Sequence, residues 1–279
     1  MAKQGKKEKN LAFLDAEYLS ARYRQGHIED VISVGMVITD PQLNELERFY
    51  STVQLVKGHR LPPLIINLTG LTNEELMKAP SYEEVMGQIV GLMSKHHVDK
   101  VCVWGGDKTN FQRDFESRRL DKGLSREISK FINSFENIQK DVSHRLTDGL
   151  DQGLSLADMK AICGLGGHVE HNALSDAEDM LNCIRIVNSG TTAYDGVEAA
   201  QYKHFRADYV KNRSFGEEEE DEAYRFSSAT GEQLLRELKD RGFDQEPKTK
   251  AFMDDLEYLL GLGNVHMGTF AEMIEEENV

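Results

Sequence analysis

The sequence predicts an α/β fold in which a three-stranded β-meander opens the chain and helix, strand, helix, strand and further helices follow. Three observations carry that reading. Runs rich in branched and aromatic residues stand at 10–17, 31–39 and 47–53, with turn chemistry (DPQLN) between the last two. Two helix-capping signatures come next, Thr72 with Glu75 and Ser81 with Glu84. A further β-rich run, Val98 to Trp104, then stops at Gly105 and Gly106.

Taken in order, residues 1–9 form a lysine-rich flexible arm that does not read as a signal peptide, because the apolar run behind it is short and carries acids. Asn10 to Glu17 is the first strand. Val31 to Thr39 and Glu47 to Val53 are the second and third. The Pro62-Pro63 pair breaks any helix at that point and leads into LIINLTG at 64–70. After the second cap, Tyr82, Val85, Met86, Ile89, Val90 and Met93 recur at helical spacing and define one buried face. The strand at 98–104 runs through two glycines into a helix expected over 108–120. Ile138 to Val142 is expected as a short fifth strand and Ser155 to Cys163 as a short helix. Gly164 to Gly167 follows no strand and has no phosphate-loop pattern. Ala173, Ala177, Met180, Leu181, Ile184 and Val187 face one side of a last long helix, which Gly190 stops.

These elements make one domain over 10–190. Residues 191–279 are a helical, acidic extension: a helix over 194–209, an acidic linker at 217–222 and three short helical patterns near 229–241, 248–260 and 268–277. His266 is solitary and reads as an ordinary histidine of that extension.

The 279-residue chain is 39% hydrophobic and 29% charged, and no apolar stretch is long enough to cross a bilayer. Its net charge of −15 argues at first against a nucleic-acid partner. The charge is uneven, however. Residues 191–279 hold 21 acidic against 10 basic side chains and the rest 27 against 23. Arg113, Arg118, Arg119, Lys122, Arg126 and Lys130 crowd one short stretch, readable as a solvated helix face or as a substrate-facing patch. Cys102, Cys163 and Cys183 are few, far apart and set in apolar segments, which fits a reducing cytoplasm and neither a disulfide framework nor a zinc knuckle.

Chemistry is concentrated in five residues. Alternation along a strand aims Asp15 and Glu17 to one side, Leu14 and Ala16 to the other. Two like charges held so close raise each other's pKa, so the pair calls for a cation or a shared proton. Asp107 stands at a strand's carboxyl end, where α/β proteins bind ligands and where an acid also serves as a helix cap. On one helix, residues five apart lie about 140° apart. His171 can therefore share a site with Asp176 only from the loop before the helix, with Asn172 near the N-cap.

Read together, FLDAEY (Asp15, Glu17), VWGGDKTNF (Asp107) and HNALSDA (His171, Ala173, Asp176, Ala177), with INLTGLTNEEL between the first two, resemble the 3′-to-5′ exonucleases of the DEDD superfamily. The resemblance is to the histidine-containing DEDDh subgroup, which includes RNase T, the DnaQ-type proofreading subunits and, nearest in flavour, the ERI-like RNA exonucleases. It covers residues 10 to about 190. It implies an RNase H-like fold: a mixed five-stranded sheet with one antiparallel strand and helices on both faces. Two glycines precede Asp107, which leaves the register of the second motif open, and Asp114 is the alternative acid.

The resemblance further implies a metal-dependent 3′-5′ exonuclease acting on single-stranded RNA or DNA ends, with RNA favoured. Asp15, Glu17, Asp107 and Asp176 would hold two divalent cations, Mg²⁺ or Mn²⁺, about 3.5–4 Å apart. His171 would serve as general base, and the backbone at Tyr18 and Leu19 would approach the terminal nucleotide. Acidity at the site is then no obstacle to a nucleic acid, since bound cations reverse its sign. The alternative is a non-catalytic nucleic-acid or protein-binding module that keeps the fold, and a missing motif residue would mark it; none of the five is missing. A protein partner or a homodimer would be engaged through the extension.

Overall fold

The computed structural model describes residues 9–23, 26–166, 169–197, 199–200, 239 and 245. The arm before Lys9 lies outside the described residues, as do the acidic linker and, apart from residue 239, the helices expected beyond residue 200. Of the helix expected over 194–209, residues 196, 197, 199 and 200 are described and helical.

The sheet is built as the alternation pattern requires. Strands β1 (Asn10–Tyr23) and β2 (Gly26–Thr39) form a long antiparallel pair, and β3 (Glu45–Thr52) adds antiparallel to β2. Asp40 organises the turn between β2 and β3, its carboxylate accepting the Gln42 and Asn44 amides at 2.9 Å. After β3 the chain makes three helices, α1 (Pro63–Thr69), α2 (Asn73–Met77) and α3 (Tyr82–Lys95). Both capping boxes read from sequence are present, with Thr72 and Ser81 accepting the Glu75 and Glu84 amides. Pro62 and Pro63 do not merely end regular structure. Pro63 opens α1 at its first position, where a missing N–H costs nothing.

Strand β4 (Val98–Val103) lies parallel to β1, and α4 (Asp107–Ser117) follows it directly. Helix α5 (Lys122–Asn133) is capped by Asp121, and β5 (Phe135–Asn137) completes the order β3-β2-β1-β4-β5. Only β2 runs against the others. The mixed five-stranded sheet with one antiparallel strand is thus the one expected, but its fifth strand is not at Ile138–Val142. Residues Gln139–Leu146 are helix α6. Val142 and Ser143 are buried side by side, His144 and Arg145 are exposed, and burial returns at Thr147, four residues after Ser143, a pattern that the alternation of a strand does not give. Phe135 supplies the apolar anchor of the true strand.

The described chain falls into two compact units, Met1–Ile138 with Val169–Asn182, and Gln139–His168 with the chain from Cys183 onward. In the first, one face of the sheet packs Ala12, Leu14, Ala16, Val34 and Met36 against Val85, Met86 and Ile89 of α3 and Phe111, Ile128 and Phe131 of α4 and α5. Phe111, Phe131 and Phe135 meet edge to face, with centroids 4.8–6.0 Å apart. A smaller cluster, Leu19, Ile32, Leu61 and Leu76, sits under α1 and α2. The second unit contains α6, α7 (Leu156–Cys163, capped by Ser155) and the later part of α8 (Ala173–Ser189). There the Ala193 and Tyr194 amides both donate to the Ile162 carbonyl, at 3.0 and 3.1 Å.

On the sheet's other face α8 begins directly over β2. A Cβ built on Gly35 would come within 2.2 Å of the Ala173 carbonyl and the Leu174 amide. Only glycine allows that approach, and Arg48 of β3, paired with Glu178 at 2.6 Å, ties the helix down further along. Replacing Gly35 by alanine must push α8 off the sheet. Gly35→Ala is expected to lower stability by about 2–3 kcal/mol or more, as overpacking against backbone does, read as a lower urea midpoint.

Candidate active site

The sheet brings its acids together from three elements. Asp15 and Glu17 project from the same side of β1, as alternation dictates. Immediately after Glu17 the register with β2 shifts: Glu17 opposes Ser33 but Tyr18 opposes Val31, so Ile32 is an extra residue and β2 bulges there. Bulges bend a strand and re-aim its side chains, and this one marks the end of the acid-bearing segment.

Asp107 arrives from β4. Gly105 takes a left-handed conformation (φ +78°) that turns the chain sharply into α4. The sequence left Asp107 as either helix cap or ligand. It is not the cap: Gly106 holds that position without a side-chain hydrogen bond, and Asp107 is the first helical residue. Its Oδ1 instead accepts a hydrogen bond from the Tyr18 hydroxyl at 3.1 Å.

The third element is α8 with the residue pair before it. Asn172 caps the helix, its Oδ1 accepting from the Leu174 and Ser175 amides at 3.2 Å. His171 lies in the preceding loop at φ +51°, and Asp176 is in the first turns, buried. That is the arrangement the five-residue spacing demands. Glu17, His171 and Asp176 each offer an atom within 4.8 Å of the others, and His171 Nδ1 stands 4.0 Å from Glu17 Oε1. The imidazole remains about 40% exposed, open to water from outside.

The electrostatics of this gathering are those of a charge deficit. Burial, then Asp107, Glu17 and Asp176 in that order, raise the Asp15 carboxyl well above its usual range. Burial, then Asp176 and Asp107, push Glu17 up to about 8. Burial also pushes Asp107 up to about 7, against the lowering effect of the Tyr18 hydrogen bond. The Tyr18 phenol is raised too, by burial and then Asp107, so it stays a donor. Buried carboxylates that cannot all ionise, with hard oxygen donors and an imidazole converging, are a donor set that fits a divalent cation.

The remaining candidates are placed differently. Asp114 lies seven residues along α4 from Asp107, about 10 Å by helical rise. It is buried, and Arg118 takes its Oδ1 through Nε and Nη2, both at 2.8 Å. Arg118 also lies over the Tyr82 ring at 4.5 Å, and Asp30 pairs with His59 elsewhere in the first unit. Arg118 is therefore turned inward, whereas Arg113, Arg119, Lys122, Arg126 and Lys130 are exposed. The Leu19 side chain is fully buried. Sequence reasoning missed the Tyr18 hydroxyl and Gly35. A lone glycine inside a strand pattern is the usual signal of close backbone approach and was the one clue to the latter.

A family model described as Exonuclease, RNase_T, matches residues 13–183. No curated protein matches the chain. Among solved structures the chain is similar to a 3′-exonuclease that recognises the 3′ end of a histone mRNA stem-loop (14% identity, 68% of this chain and 69% of that one, TM-score 0.51). It is similar to the nuclease domain of 3′hExo, a DEDDh family member, bound to rAMP (14% identity, 66% and 94%, TM-score 0.51). Cell-death related nuclease 4 (CRN-4) matches to the same degree (17% identity, 67% and 66%, TM-score 0.51). At these identities the likeness is one of fold.

The raised carboxyls set a pH dependence. Each binds its proton more tightly folded than unfolded, so its contribution to stability is complete below the ordinary carboxylate range and is lost as pH rises through the folded value. In chelator, the thermal midpoint should fall between about pH 4.5 and about pH 8, the span from the usual to the raised Glu17 value. Added Mn²⁺ should flatten that fall, and a flat profile in chelator would contradict the charge deficit.

Proposed function

Taking as premise that the chain belongs to the exonuclease family RNase_T and is an exonuclease, we propose that it releases nucleotides from the 3′ ends of single-stranded nucleic acid, RNA in preference to DNA. The observation that carries this reading is the meeting of Asp15, Glu17, Asp107 and Asp176 beside an open His171. The RNA preference rests on the tryptophan-glycine context of Asp107 and on the RNA ligands of the similar structures, a histone mRNA stem-loop and rAMP.

In this reading Asp15, Glu17, Asp107 and Asp176 hold two divalent cations, Mg²⁺ or Mn²⁺. Such cations neutralise the phosphate and make a bound water more acidic. His171 takes the proton from the attacking water, whose oxygen bonds to phosphorus while the bond to the leaving 3′ oxygen breaks. Its exposure leaves room for that water. Tyr18 orients Asp107 through its hydroxyl and, with Leu19, offers backbone to the terminal nucleotide; the buried Leu19 side chain has no part in that contact. Asp107 is preferred to Asp114 because Arg118 already occupies the latter.

The exonuclease domain is taken as 10–190, with 191–279 appended and available to a protein partner or a second copy. Three buried cysteines, none of them in a disulfide, fit a reducing cytoplasm. No described helix is long and apolar enough to cross a membrane.

A 5′-labelled single-stranded oligonucleotide with Mn²⁺ should be shortened from its 3′ end, and EDTA should stop the reaction. Absence of metal-dependent shortening would leave the non-catalytic module as the reading. His171→Ala should cut turnover by about 10²–10⁴-fold while preserving the Mn²⁺-induced rise in melting temperature.

The two candidate second acids separate cleanly. Asp107→Asn should abolish turnover without lowering the melting temperature in chelator, because it removes a buried charge. Asp114→Asn should destabilise by about 3 kcal/mol, because it strands the largely buried Arg118.

A further inference from the structure

Tyr50 of β3 is the one exposed residue among the described tyrosines, phenylalanines and tryptophan, about 40% accessible, and it stands near the acids. Gly35 opposes both Asp15 and Tyr50, and Ser33 opposes both Glu17 and Thr52. Directly opposed residues share a face, so Tyr50 is on the side of the sheet that carries Asp15 and Glu17, two inter-strand steps or roughly 9.5 Å from β1. The start of α8 fills the space above Gly35. The Tyr50 ring is thereby left with the direction of Ser33, and it comes within the electrostatic reach of Glu17 and of Glu75 of α2.

A hydrophobic ring in that position has two properties. It stands on a strand of the sheet and turns about only two side-chain angles, so ordering it costs a partner little entropy. It also lies near Glu17 and Glu75, where it offers a nucleic-acid strand an uncharged π-face rather than a further charge. A single strand with its phosphate at Asp15 and Glu17 has bases as its uncharged parts, and stacking accepts any of them. We propose that Tyr50 is a substrate-binding residue that stacks on a nucleobase of the bound strand, at the terminal or the penultimate nucleotide. This rests on the exonuclease reading of the same site.

The measurement is equilibrium binding of a 5′-fluorescein-labelled single-stranded oligonucleotide to the full chain in Ca²⁺, alongside shortening assays in Mn²⁺. Tyr50→Thr, which keeps strand propensity, should weaken binding by about tenfold and Tyr50→Phe by less than about twofold, the scale of one base-aromatic stack. The Tyr50→Thr loss should be the same at low and high salt, because stacking releases no counterions. An oligonucleotide abasic at the contacted position, terminal or penultimate, should bind the wild type as weakly as Tyr50→Thr binds the intact one, and should cost Tyr50→Thr nothing more. Equal binding by wild type and Tyr50→Thr, or equal abasic losses in both, overturns the proposal. Shortening in Mn²⁺ with no effect of Tyr50→Thr overturns it alone and leaves the exonuclease reading intact. Binding with the expected Tyr50 effect but no shortening sustains the stacking residue and removes the enzyme.

Discussion

The backbone of Ala173 rests on Gly35 with no space for a side chain between them, and the position of every histidine and acid contributed by the third element depends on that contact. Because α8 begins there, the two residues before it reach the end of β1, and its first turn carries Asp176 back toward Glu17. The ion pair between Arg48 and Glu178 fixes the helix's direction at a second point. A surface pair of this kind contributes little energy, so the Gly35 contact is the stronger of the two constraints.

Assembling the acids is unfavourable in itself, and other parts of the first unit offset it. The sheet's opposite face is a dry core of aliphatic residues and three interlocking phenylalanines, and a second small cluster closes over Leu19 and Ile32. Tyr18 links the two sides. Its ring meets Phe111 edge to face at 6.0 Å, and its hydroxyl reaches Asp107. The polar end of the site is thus anchored in the apolar core through one side chain, which holds Asp107 near the other acids although burial penalises its charge.

What the sequence disclosed was local. Capping boxes at Thr72 and Ser81, the Asn172 cap, strand alternation at Asp15 and Glu17 and the loop position of His171 each depend on residues within five positions of one another, and each has the expected geometry. The failures involve distant partners. Ile138–Val142 has strand-like composition, but its apolar residues serve a helical face, and only tertiary packing decides between the two over so short a run. The charged stretch at 113–130 looked uniform because nothing local shows that Arg118 turns inward to Asp114 while its neighbours face water. Gly35 and Ser33 belong to a buried strand whose register sets their partners, and register is invisible in one sequence.

His171 holds a left-handed backbone conformation that a residue with a Cβ adopts at a cost of about 1–2 kcal/mol. Glycine would relax the loop, and asparagine would tolerate it, yet neither carries an imidazole. The chain therefore keeps a destabilising residue at the turn into α8, and the deficit is met by the cap at Asn172 and the packing behind it. In the role proposed for His171 as the general base, selection for thermal robustness and selection for turnover pull in opposite directions at this one position.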